Sequence, residues 1–365
     1  MRVSEATMSA PRLFTHKSIE PYFFSSRHFT AMRWLALAAE LDIVGWQQAR
    51  EKLRMRPFGV TLLPIVTALI ALTVPRVAAH PASGIVVDQK GCVFFIDSGG
   101  DGFLWKLDPG GKRSLIQKGR LQGLHWLTLD EKGRYSSEDL KKWFDQRFTP
   151  KFGRVLLSDS RSALLQTDGG PVVVDRDGIL YFANENVEIV RLSPDGRVTV
   201  LSARFRGIAQ KLGFVTGLAS GPDGSVYAAC PSTILKIKPD GTVTTLIHPI
   251  ALSNLATDQS AGTPDGRKPS LRGVAVDSRG TVYAAATGFG CAVKITADGK
   301  VETVLRAERP SSPTGVAVHD EELYLLEYAH ADSNNHQEWL PRVRKVGRNG
   351  KITTLTALSK EDRER

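Results

Sequence analysis

The chain has 365 residues, 42% hydrophobic and 24% charged, an ordinary globular balance that can bury a core. Its formal charge is +10, but residues 1–79 hold ten Lys and Arg against five Asp and Glu, so half of the excess precedes the region expected to fold. No dense basic run with interleaved aromatics follows, which argues against nucleic acid as a partner.

Residues 1–54 read as a leader or an over-extended upstream segment, expected to be disordered. Residues 57–75, PFGVTLLPIVTALIALTVP, are almost wholly apolar; Arg54 and Arg56 precede them and Val77-Ala78-Ala79 follows. A charged region, an apolar region and a small-residue site in that order mark an export signal over 55–79. On that reading Met55 is the initiator and cleavage after Ala79 leaves His80 first. The alternative is an uncleaved membrane anchor, which the run is long enough to form only if its two prolines are tolerated. The folded part is therefore expected to be periplasmic or secreted, or held at the membrane through 57–75. Three cysteines, Cys92, Cys230 and Cys291, show no CxxC spacing and no His pairing, and an odd number allows at most one internal bridge.

From residue 84 a pattern repeats. GIVVDQKGCVFFID (84–97), GPVVVDRDGILYFAN (170–184), GLASGPDGSVYAAC (217–230), GVAVDSRGTVYAAA (273–286) and GVAVHDEELYLLE (315–327) each read as an apolar strand, a tight polar turn and a second apolar strand. WLTLDEKGRYSS (126–137) is a degenerate sixth copy. The five good copies are each followed by a second hairpin, such as ILKIKPDGTVTTL (234–246), whose Asp-Gly or equivalent suits a tight turn between paired strands. Four antiparallel strands over about 42 residues are the unit of a β-propeller blade. The expected fold is all-β: one six-bladed propeller of four-stranded blades over residues 80–358, with a charged tail at 359–365. The recurrent aromatics Phe94, Tyr181, Tyr227, Tyr283 and Tyr324 are expected to pack between blades. The Lys and Arg at 106, 191, 236, 294 and 345 should form an outer solvated ring. Blade 2 is irregular, because 136–149 carries helix signals: Ser136 and Asp139 form a capping box, and Leu140, Trp143, Phe144 and Phe148 share one helical face.

The GVAVD-x-x-G-x-V-Y and K-I-x-x-D-G hairpins resemble those of the NHL-repeat and gluconolactonase-like (senescence-marker-protein-type) six-bladed propellers, over residues 81–357. The resemblance implies the propeller architecture. It leaves function open among calcium- or zinc-dependent lactone hydrolases, lyases and binding modules.

Topology places the long insertions 137–153, 202–215, 248–271 and 328–342 on one face, around the central depression where a small molecule or a protein partner would bind. Two rings of residues should point there. Strand a of the blades begins after Ser83, His125, Thr216, Arg272 and Thr314, and strand b ends at Asp97, Asn184, Cys230, Ala286 and Glu327. In the metal-dependent lactonases that the chain resembles, Asn residues before the strand-a Gly, with a Glu and an Asp, hold a divalent cation. Thr216, Arg272 and Thr314 stand at those positions here and blade 1 has no Glu-Gly-Pro opening, so that metal site is not expected to carry over. Arg272 with His125 suits an anion better, with Glu327 and Asn184 as further contacts; alternatively Arg272 pairs with Glu327 or Asp97 inside the channel. Trp143, Phe144, Tyr328 and Trp339 form an aromatic lid or else pack the insertions onto the rim. A Cys230–Cys291 disulfide is plausible, with Cys92 free. Two functions follow: an exported binding module for a small anionic ligand, or a gluconolactonase-like hydrolase or lyase with calcium or zinc in the channel.

Overall fold

The computed structural model describes residues 81–119, 124–144, 152–183, 188–201, 214–247, 269–329 and 335–364. All of the described residues fall within one unit of the chain, Ala78–Arg365. Both the upstream extension and the apolar segment 57–75 lie outside the described residues.

The described residues form six antiparallel sheets. Blade 1 holds β1 Ile85–Val87, β2 Val93–Asp97, β3 Phe103–Leu107 and β4 Arg113–Lys118. Blade 3 holds β8 Val172–Val174, β9 Leu180–Ala183, β10 Ile189–Leu192 and β11 Val198–Val200. Blade 4 holds β12 Gly217–Ser220, β13 Val226–Cys230, β14 Thr233–Ile237 and β15 Val243–Ile247. Blade 5 holds β16 Leu271–Val276, β17 Val282–Ala286, β18 Cys291–Ile295 and β19 Val301–Arg306. Blade 6 holds β20 Ser311–His319, β21 Glu322–Ala329, β22 Leu340–Val346 and β23 Ile352–Ala357. In each of these five, strand order follows chain order.

Blade 2 departs from the expected four strands. It has three among the described residues: β5 Trp126–Asp130, β6 Phe152–Leu156 and β7 Ala163–Thr167, in the order β5-β7-β6. The cause is local. After β5 the chain does not turn straight back as its relatives in the repeat do. Tyr135 instead drives its ring into the next blade, where its one hydroxyl proton lies between the Gly178 carbonyl at 2.6 Å and the Leu192 carbonyl at 3.0 Å and its oxygen accepts from the Leu180 amide at 3.0 Å. Helix α1, Ser137–Phe144, follows. Its box closes both ways: Asp139 N–H donates to Ser136 Oγ at 3.0 Å, and Ser136 N–H to the Asp139 carboxylate at 3.3 Å. The returning hairpin then lays β7, not a strand directly following β5, against β5.

The innermost strands meet in ring order β1, β5, β8, β12, β16, β20, and β20 meets β1 again. In blades 4 and 5 they come so close that a side chain is excluded at the repeat's first position: a Cβ on Gly217 would stand 2.5 Å from the Arg272 carbonyl oxygen, and one on Gly273 would stand 2.8 Å from Gly315 Cα. The repeat's Asp has an equally local purpose. Asp277 Oδ1 accepts the amides of Arg279 and Thr281, and Gly280, at φ +81°, closes the turn. Asp88 does the same with the amides of Lys90 and Cys92, and Asp175 accepts the amide of Ile179.

No sheet has a polar face to spare, so hydrophobic burial is organised by blade pairs. Six core clusters fill the six interfaces, for example Tyr181, Ala183, Val226, Ala228 and Leu235 between blades 3 and 4, and Ile85, Phe95, Trp105, Leu326 and Val343 between blades 6 and 1. The strand-b aromatics do pack between blades. The basic residues of strand c are partly drawn onto them: Lys236 Nζ lies 5.4 Å from the Tyr227 ring centre and 2.8 Å from Asp223.

Alternation along the strands corrects the cysteine expectation. All three cysteines are free and buried. Cys230 points with Ala228 toward blade 3, whereas Cys291 points with Val293 toward blade 4. The two thiols therefore look into different interfaces and form no bridge.

The ring closes without an exchanged strand. Thr314 Oγ1 donates to the Ala82 carbonyl at 2.7 Å, and the Tyr328 hydroxyl accepts from Ser98 N–H at 3.2 Å. Residues 359–364 are not a loose charged tail. Helix α2, Glu361–Glu364, seats Arg363 at 7% exposure. Arg363 Nε and Nη2 each donate to the Asp97 carboxylate at 2.8 Å, while Nη1 donates to the Gln337 carbonyl at 3.3 Å. Asp362 in turn pairs with Arg113 of blade 1.

Candidate functional site

The glycines that let the inner strands converge define the narrow end of the channel, and the residues just before them, Thr216, Arg272 and Thr314, ring it. Two side chains reach over this end. Trp126 of blade 2 donates its indole N–H to the Thr216 carbonyl of blade 4 at 3.1 Å, bypassing blade 3. Arg272 of blade 5 donates Nη1 to the Pro81 carbonyl at 3.0 Å, on the segment entering blade 1, bypassing blade 6. Behind them a cavity of about 270 Å³ runs between the six innermost strands to Glu131, Asp175 and Arg176 in the turns at the other mouth.

A separate pocket of about 90 Å³ sits at the narrow end. Arg272, Trp126, Thr216 and Ser83 form its floor side, with Phe214 and Ser270 contributed by the ends of the long insertions before blades 4 and 5. Ser270 holds φ +44°, a left-handed conformation that costs a serine roughly 1 kcal/mol or more. This kink precedes Leu271, whose amide donates to the Pro231 carbonyl at 2.9 Å, and so aims Arg272 across the mouth. Burial alone pushes the Arg272 guanidinium down to about 10, which leaves it charged at neutral pH. Among the described residues its only hydrogen bond is the one to the neutral Pro81 carbonyl.

The expected site residues are thus divided. Arg272 and Thr216 line one pocket. The Thr216 hydroxyl itself donates to the Ala229 carbonyl at 3.1 Å. Thr314 is buried at the ring closure. His125 stands beside the pocket, its ring 5.6 Å from that of Trp126, while its main chain links Ser83 and Thr167. Asn184 lies outside the described residues.

Asp97 and Glu327 do not face the channel. Strand b is the second strand from the axis, so its side chains point between blades rather than inward. Asp97 meets Arg363 at the seam of blades 6 and 1. Glu327 pairs with Arg342, and its other oxygen lies 3.6 Å from Arg344 Nη1. Burial raises both carboxyls above their ordinary range, and the guanidinium groups pull against it. Arg272 therefore pairs with neither. Tyr328 and Trp339 are not lid residues: at 0% and 1% exposure they are core of the same seam, with Trp339 stacked on His336 at 4.2 Å. The side chains of Trp143 and Phe144 lie outside the described residues.

Trp126, Phe214 and Ser270 went unnoticed in the sequence. Only Trp126 carried a signal there: it occupies the position that is Gly in four of the five regular copies of the repeat and Pro171 in the fifth. The divalent cation implied by the family resemblance does not fit the residues described, because guanidinium groups already hold Asp97 and Glu327. Among the described residues no three His, Cys, Asp or Glu side chains gather in one place.

No protein-family model and no curated protein matches the chain. Solved structures do. A luciferin-regenerating enzyme is 13% identical, with a TM-score of 0.46 over 77% of this chain and 94% of its own. A gluconolactonase from Xanthomonas campestris is 14% identical, with a TM-score of 0.44 over 68% and 83%. Virginiamycin B lyase from Staphylococcus aureus is 13% identical, with a TM-score of 0.42 over 75% and 83%. The architecture rests on the sheets and ring order described above: the chain is a six-bladed β-propeller, similar in outline to gluconolactonase-like and virginiamycin B lyase structures.

Proposed function

We propose that the chain is an exported ligand-binding propeller that holds a small anion at Arg272. The observation that carries this reading is a desolvated guanidinium in a pocket whose single hydrogen bond goes to a neutral carbonyl. A guanidinium offers five donors, and a carboxylate can take two of them at once. The alternative of a lactone hydrolase or lyase needs oxygen ligands for a cation, and Asp97 and Glu327 cannot supply them while they hold arginines. Export rests on the order of charged, apolar and small residues across 54–79.

Calorimetric titration of the folded protein with acetate and benzoate tests the binding reading. Arg272→Met should weaken binding of whichever carboxylate binds by about tenfold or more, as loss of a charge-assisted pair implies. Unchanged affinity in the variant rejects the site. N-terminal sequencing of protein recovered from cells tests export: a start at His80 supports it, and an intact Met1 overturns cleavage.

A further inference from the structure

Resting on that reading, we infer that the anion is a monocarboxylate carrying a flat apolar body. Among the described residues Arg272 is the only basic side chain in the pocket lining, so one negative charge is matched there and a second would be buried without a described counter-charge. Beside it the walls are apolar. Trp126, its indole fixed by the bond to Thr216, stands on one side, and Leu271 and Pro231 close the back. Phe214 lines the same pocket at 60% exposure, the most exposed of the large hydrophobic side chains among the described residues. A ring left open to water beside a charged floor favours a ligand with one polar end and one flat apolar face.

The polar inventory agrees. Ser83 and Ser270 line the pocket, and neither hydroxyl makes a hydrogen bond among the described residues. They can donate to the carboxylate oxygens that Arg272 leaves open. The volume of about 90 Å³ suits the carboxylate end, with the ligand body lying along Phe214 toward solvent. Inorganic phosphate would use the cation and waste the ring; a neutral aromatic would do the reverse.

The test is calorimetric titration of the folded propeller with acetate, benzoate, phthalate and inorganic phosphate, repeated on Phe214→Ala. Benzoate should bind about tenfold tighter than acetate, as one aromatic contact implies. Phthalate should bind no tighter than benzoate. Phe214→Ala should bring benzoate down to about the acetate level. Equal affinity of acetate and benzoate, or benzoate binding unaltered in Phe214→Ala, overturns the apolar body while the anion site stands. Phosphate or phthalate binding tighter than benzoate overturns the monoanion. If none of the four probes binds, the anion reading itself falls.

Discussion

Arg363 and Arg272 are both arginines drawn out of water, and they are satisfied very differently. Arg363 spends its donors on both oxygens of Asp97 and on the carbonyls of Gln337 and Trp339. Arg272 has one neutral acceptor, an apolar wall and open space beside it. Burying a guanidinium costs several kcal/mol unless it is paired and bonded. The fully bonded arginine is a clasp between the last residues and the first blade. The half-bonded one is tolerated by the rigid ring around it, which is how binding sites differ from structural ion pairs.

The largest effect should come from breaking the clasp. Arg363→Ala leaves Asp97 buried and unpaired at the seam of blades 6 and 1, and should cost about 3–5 kcal/mol in urea denaturation. Asp97→Ala should cost about as much, and the double variant clearly less than the sum of the two, because no charge is then stranded. Additive losses would show that the pair is not the clasp. At the other pole, Arg272→Met should leave denaturation within about 1 kcal/mol of the parent or shift it upward, since a desolvated charge is removed, while carboxylate affinity drops. A stability loss comparable to that of Arg363→Ala would erase the distinction between the two arginines.

The same contrast explains what could be read in the sequence. Blades 1, 3, 4, 5 and 6 were legible because Gly, the strand-b aromatic and, in blades 1, 3 and 5, the turn Asp each serve one local need: close approach of inner strands, filling of an interface, and closure of a turn. Blade 2 was half legible. Ser136 and Asp139 marked the helix start, but Tyr135 looked like part of a second strand, and only in the fold does its hydroxyl meet three main-chain groups of blade 3. The site was least legible. Asp97 and Glu327 stand at equivalent positions of strand b, yet whether such a residue looks inward or sideways depends on sheet position, not on residue type. Arg272 could be found because it interrupts a repeat at a defined place, and Trp126 could have been found in the same way. Tyr135→Phe, which removes one hydroxyl from three partners, should cost about 1–3 kcal/mol in denaturation; no change would mean that blade 2 is anchored by α1 alone.

The smallest expected effect is a flat pH profile. The sequence paired Arg272 with His125 as joint anion holders, whereas the structure lines the pocket with Arg272 and leaves His125 beside Trp126. An imidazole that helped to hold the anion would do so only when protonated, so affinity would fall as pH rises through roughly 6–7. Arg272 alone imposes no such step. Its guanidinium is held at about 10, so the charged form, the one that binds, persists below that value and is lost as pH rises through it. Benzoate affinity should therefore be constant from about pH 6 to 9, where the carboxylate stays ionised throughout, and weaken above about 10. A decline already complete by pH 8 would return His125 to the site and would mean that its ring swings away from Trp126 to meet the ligand.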